Sequence, residues 1–117
     1  MTHSQFATKL FELQVNTHIT HLSYSGTLAV HMALDPLYNG LVGLIDRYVE
    51  SAQSDQLVTG YGNITVINGA NFKSYLTVRL KEIKIHRDSL TEGHLQQICD
   101  DICELISSAL YKLNFIK

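Results

Sequence analysis

Residues 92–113 read EGHLQQICDDICELISSALYKL. Within them Leu95, Ile98, Cys99, Ile102, Leu105, Ile106, Ala109, Leu110 and Leu113 recur at three- and four-residue steps, the spacing that lines one face of an α-helix. Asp88, Ser89 and Thr91 offer N-terminal caps just ahead of the stripe. The period predicts a helix from Glu92 to Leu113, and an amphipathic helix of this kind needs other elements to cover its apolar side.

Working backward, the same period recurs. Phe72, Tyr75, Leu76, Leu80 and Ile83 predict a helix from Asn71 to His86, although the alternation of Leu76, Val78 and Leu80 leaves a strand open. A second helix is predicted from Leu28 to Gln53, with Leu34, Leu37, Leu41, Leu44, Ile45 and Tyr48 on its apolar side. Pro36 should kink or restart it by removing an amide donor and crowding the preceding turn. A first helix from Ser4 to Tyr24 carries Phe6, Leu10 and Leu13 and closes at Ser25 and Gly26. Between Ser54 and Ala70 the period dissolves into a glycine-containing connector, in which Ile64 to Ile67 could pair as a short strand. Four helices with a long link between the second and third predict an all-α, single-domain bundle over residues 1–117, and a crossover of that kind is the ferritin-like arrangement.

Composition narrows the function classes. Of 117 residues, 45% are hydrophobic and 17% charged, so the chain can bury one core. A formal charge of −2 and the lack of a Lys- or Arg-rich tail argue against nucleic-acid binding. No unbroken apolar run approaches the ~20 residues of a membrane span, and no basic cluster precedes an apolar stretch near Met1; the expected setting is a cytoplasm. Cys99 and Cys103 lie four apart on one predicted helix and read as small packing residues.

The acidic residues beside the apolar stripe of helix 2 carry the chemistry. With His31 at zero on a helical wheel, Asp35 falls at about 40°, Asp46 at about 60° and Glu50 at about 100°. Asp46 and Glu50 stand one turn apart, positioned to chelate a cation, and His21 on helix 1 points toward the same layer. Carboxylates and imidazoles projecting from helices are the donors that bundles use for iron and related divalent metals. Quieter roles exist for each: Asp35 before Pro36 makes a good N-cap and first turn, His21 a hydrogen-bonded imidazole, and Asp46 a partner for Arg47. His18 suits a core or supporting role, His86 and His94 are too loosely spaced for a site, and His3 is expected to be disordered. Tyr24, Tyr38 and Tyr48 fit packing positions.

In the spacing of His21, His31, Asp35, Asp46 and Glu50 the chain resembles the Dps-type miniferritins. Those proteins carry a histidine late in helix 1 and another early in helix 2, then an aspartate fifteen residues on and a glutamate four further. The resemblance covers about Val15 to Gln53. It departs from the pattern in a shorter turn between His21 and His31, in Leu22 where a tryptophan is usual, in Pro36, and in a connector without the short helix of that family. The segment from His94 to Leu113 also looks like small bacteriophage-encoded proteins with a ferritin-like outline, which implies a bacterial host cytoplasm.

The resemblance implies a site between subunits, histidines from one copy and carboxylates from the other, and hence a homo-oligomer of at least two chains. His21, His31, Asp46 and Glu50 would bind Fe(II), with zinc or another divalent cation as alternatives, and ferroxidase chemistry with peroxide or oxygen would follow. The alternative is a ferritin-like bundle without catalysis that serves as a binding or regulatory protein. An intrasubunit di-iron centre built on Glu-x-x-His pairs is not expected, since none of Glu12, Glu50, Glu82, Glu92 or Glu104 has a histidine three residues on.

Overall fold

The computed structural model describes residues 1–23, 28–68 and 71–115. It is all-helical, with four helices and, among the described residues, no strand. Helix α1 spans His3–Leu22 and is started by a capping box: the Gln5 N–H donates to Thr2 Oγ1 (3.1 Å) and the Thr2 N–H to Gln5 Oε1 (2.9 Å). His3, expected to be disordered, is therefore the first residue of a helix. Tyr24, Ser25 and Gly26, which were expected to end it, lie outside the described residues.

Helix α2, Leu28–Gln53, matches its predicted bounds but runs through Pro36 without interruption. Pro36 and Met32, whose carbonyl loses its partner, are both on the exposed side, where water can satisfy that carbonyl. Because the helix begins at Leu28, Asp35 and Pro36 are interior and form no cap. By length and mean composition alone α2 is long and apolar enough to cross a membrane, and 28% of its most apolar stretch is buried in the fold. It reaches that composition on average, with its few charges spread along the helix rather than excluded from one unbroken run.

Helix α3, Phe72–Ser89, follows Asn71, whose φ of 51° is left-handed. Phe72, Leu76, Ile83 and His86 are its buried side, and Val78 is exposed. The strand reading of this segment is thus replaced by a helical face. Helix α4 spans Gly93–Phe115, close to its expected limits. Cys99 is buried and Cys103 half-buried, both free. Burial pushes the Cys99 thiol up to about 12 and raises that of Cys103.

Side-chain contacts fix the direction of each helix. Phe6 near the start of α1, Tyr48 near the end of α2 and His86 near the end of α3 meet at one end of the bundle. His21 at the end of α1 meets His31 at the start of α2 at the other. Arg87 pairs with Asp100, joining the end of α3 to the first half of α4. Helices α1 and α4 therefore run one way, and α2 and α3 the other. Helix α2 packs against α1 and α4, α4 also against α3, and α1 touches α3 only slightly. Since α2 and α3 are parallel, the chain between Gln53 and Phe72 must return along the length of the bundle.

It does so beside α1, as an extended segment held by side chains rather than by a strand. The Gly62 N–H donates to Thr8 Oγ1 (3.0 Å), the Thr65 N–H to Glu12 Oε1 (2.7 Å) and the Ile67 N–H to Asn16 Oδ1 (3.0 Å), while Asn16 Nδ2 donates to the Thr65 carbonyl (2.8 Å). Thr8, Glu12 and Asn16 are spaced by four, so they form one polar row along α1. The row continues to α3: Asn16 Nδ2 reaches Tyr75 Oη (3.2 Å) and Arg79 Nη1 reaches Glu12 Oε2 (3.5 Å). Glu12 is only 6% exposed, and these donors balance its desolvation. The expected strand at 64–67 is extended, but its hydrogen bonds go to a helix face.

Candidate metal centre

At the end of the bundle where α1 hands over to α2, the imidazoles of His21 and His31 stack with centroids 4.0 Å apart and planes 21° from parallel. Each ring reaches the other residue's backbone. His21 Nδ1 is 3.2 Å from the His31 carbonyl oxygen, and His31 Nδ1 is 3.3 Å from the His21 carbonyl oxygen. A carbonyl only accepts, so both Nδ1 atoms carry the proton. For His31 this bond also satisfies one of the last carbonyls of α1, which lacks an intrahelical partner. The consequence for chemistry is that the remaining nitrogen, Nε2, presents its lone pair in the neutral ring. A backbone acceptor on the other nitrogen is how metal-binding histidines are usually held.

His21 Nε2 lies 3.7 Å from Asp35 Oδ1. That is too long for a hydrogen bond, and with Asp35 exposed the space between the two acceptors can take a water or a cation. Bonds of about 2.0–2.2 Å from a metal to nitrogen and to carboxylate oxygen span such a gap. His21, His31 and Asp35 are thus brought together. His18, one turn earlier, stacks on Tyr38 at 4.1 Å and supports the layer beneath.

Asp46 and Glu50 are not brought to this end. Both are exposed on α2, and because α2 is continuous, Asp46 stands about 22 Å along the axis from His31. Arg47, the alternative partner of Asp46, pairs instead with Asp101 at 3.7 Å. Among the described residues, no group of three or more His, Cys, Asp and Glu side chains of one chain could hold a metal ion. His31, Asp35, Asp46 and Glu50, expected on a seam beside the apolar stripe, are all exposed on α2.

A second polar constellation, missed in the sequence reading, occupies the opposite end. His86 is 3% exposed, stacks on Phe6 at 3.8 Å and places Nε2 2.8 Å from Tyr48 Oη. Tyr48 Oη is also 2.9 Å from His3 Nδ1. Burial pushes His86 down to about 4 and raises the Tyr48 phenol well above its ordinary range. A signal was available: His86 follows Ile83 by three, on the same face as Phe72 and Leu76.

Residues 18–113 match the model of a protein family of unknown function, DUF5856. The chain belongs to that family. The match to DUF5856 contains all five candidate ligands as well as Tyr48 and His86, whereas His3, Thr8, Glu12 and Asn16 precede it. Comparison with curated proteins and with solved structures returned no match.

Proposed function

We propose that this protein is a miniferritin-like bundle of ferritin-like architecture that binds iron at a site shared between two copies of the chain. The observation that carries the reading is the reciprocal locking of His21 and His31, which leaves two Nε2 lone pairs at one exposed end with Asp35 beside them. One chain separates these nitrogen donors from Asp46 and Glu50 by several helical turns, so only a second copy can bring those two carboxylates to the histidines. A two-fold pairing of α2 surfaces would create two equivalent sites at once.

The parallel course of α2 and α3, with a long return segment between them, supports the ferritin-like part of the proposal. The donor set suits Fe(II) and Zn(II), and the carboxylates favour the harder ferric product. Oxidation is the chemistry such a site would run: each Fe(II) gives up one electron, and a peroxide takes up two electrons and two protons to leave two waters. The protein's residues would bind and orient the metal.

Anaerobic titration of Fe(II), and separately of Zn(II), tests the proposal. Wild-type protein is expected to bind with a Kd of about 1 µM or below. Binding should disappear in His31→Ala and in the double variant Asp46→Ala/Glu50→Ala, with helicity unchanged. Mixing the two inactive variants should restore a fraction of the sites, because a mixed pair contains one intact set. Wild-type affinity in both variants would refute the reading. The exposure of Asp46 and Glu50, away from the histidines of their own chain, favours the second reading, a non-catalytic binding or regulatory bundle. Wild-type protein that associates but takes up neither cation would establish that alternative.

A further inference from the structure

We propose that His3, Tyr48 and His86 form a proton relay through a single hydroxyl, in which protonation of His3 at the wall of an open cleft sets the tautomer of the buried His86. The Tyr48 oxygen is within hydrogen-bond distance of both rings, 2.9 Å from His3 Nδ1 and 2.8 Å from His86 Nε2. A phenol has one proton to donate, and the buried Tyr48 hydroxyl, whose partners among the described residues are these two rings alone, places that proton on one of them only when the two bonds run in the same direction along the row. His86 Nδ1 is buried without a partner, and stacking on Phe6 leaves its surroundings apolar. That unpartnered atom makes the two directions unequal.

When His3 is neutral with its proton on Nε2, Tyr48 donates to His3 Nδ1 and accepts from His86 Nε2–H. The buried Nδ1 is then a bare lone pair. When His3 is protonated, its Nδ1–H donates to the Tyr48 oxygen and Tyr48 must donate to His86 Nε2. His86 then carries its proton on Nδ1, as a buried N–H with no acceptor, a rare and costly arrangement. The change takes up one proton in total. The His86 Nε2 proton passes to the Tyr48 oxygen, the Tyr48 proton passes to His3 Nδ1, and a solvent proton arrives at His86 Nδ1 when this end of the bundle opens.

His3 is the member that meets solvent. It lines a polar cleft of about 440 Å³ together with Glu92, Asp55 and Thr59. The titratable groups acting on the row are the Met1 amino group and His3 from α1, and Cys99 and Glu92 from the α4 side on Tyr48. The Glu92 carboxyl is itself held below its ordinary range, mainly by its hydrogen bond from Thr91 and in smaller part by His3. Burial keeps His86 itself neutral down to about 4, so the charge of the acid form resides on His3 and its effect is read at His86 as a tautomer change. The relay joins the first turn of α1 and the last turns of α2 and α3, and its acid form weakens their junction.

The test uses the full chain with ¹⁵N-labelled histidine and long-range ¹H–¹⁵N correlation, which reads each ring's tautomer, from about pH 8 to about pH 5. His86 is expected to carry its proton on Nε2 at the upper end and on Nδ1 at the lower, with the same midpoint as His3. In Tyr48→Phe the His86 tautomer should no longer follow His3. In His3→Gln, a surface change that spares the core, His86 should keep its Nε2 proton throughout. A wild-type His86 that holds one tautomer across the His3 titration overturns the relay, as does a His86 that still switches in His3→Gln.

Discussion

The carboxylate of Glu12 accepts the backbone N–H of Thr65 at 2.7 Å, joining positions 53 residues apart. With Arg79 on its other oxygen, this buried side chain fastens the extended return segment to α1 and α3 together. Removing it takes the acceptor from the Thr65 N–H and leaves the Arg79 guanidinium with Glu82 as its carboxylate partner.

Glu12→Ala should therefore cost roughly 2–4 kcal/mol of stability, the range for breaking a buried charged hydrogen-bond set. Urea unfolding reads the loss, and limited proteolysis should show new cleavage between residues 58 and 68. A midpoint unchanged from wild type would mean that the segment is held by something other than the Thr8, Glu12 and Asn16 row.

Acid should destabilise the protein through His86. Its pKa falls from 6.5 to about 4 on folding, so the unfolded chain binds this proton more tightly than the folded one. The contribution is complete above about pH 6.5, declines as the pH falls toward 4 and is lost below that, at most roughly 3 kcal/mol. His86→Phe should flatten the dependence of stability on pH in this window, measured by urea unfolding at stepped pH. An unaltered slope would assign the acid sensitivity to other groups.

Two glycines of α2 should answer differently to alanine. A Cβ at Gly43 meets nothing within 4 Å, whereas one at Gly40 would lie 2.5 Å from Leu105 Cδ1 on α4. Gly43→Ala should stabilise by about 0.5–1 kcal/mol through helix propensity alone. Gly40→Ala gains the same propensity but must displace the half-buried Leu105 side chain, so it should fall short of Gly43→Ala by about 1 kcal/mol. Thermal midpoints at one protein concentration compare them. Equal midpoints would show that α2 and α4 do not approach closely at Gly40.

Geometry makes one candidate constellation legible in the sequence and hides the other. The wheel for α2 placed His31, Asp35, Asp46 and Glu50 on one side, and all four are exposed on that helix. A wheel collapses the axial coordinate, so it could not show that fifteen residues of continuous helix put Asp46 about 22 Å from His31. His21 and His31, ten residues apart on successive helices, come together because antiparallel neighbours are local in sequence. His3, Tyr48 and His86 are separated by 45 and 38 residues, and no short-range pattern links them.

Apolar period alone was enough to set the four helices. Leu28–Gln53 has its predicted bounds and Gly93–Phe115 nearly so, since burial of a 3.6-residue stripe is written in consecutive side chains. The path of the return segment, the burial of Glu12 and the tautomers of His21 and His31 were decided only in the folded chain. Each depends on which backbone carbonyl or amide is delivered to a polar side chain from a distant part of the molecule, and hydrogen-bond partners at that range have no signature in local sequence.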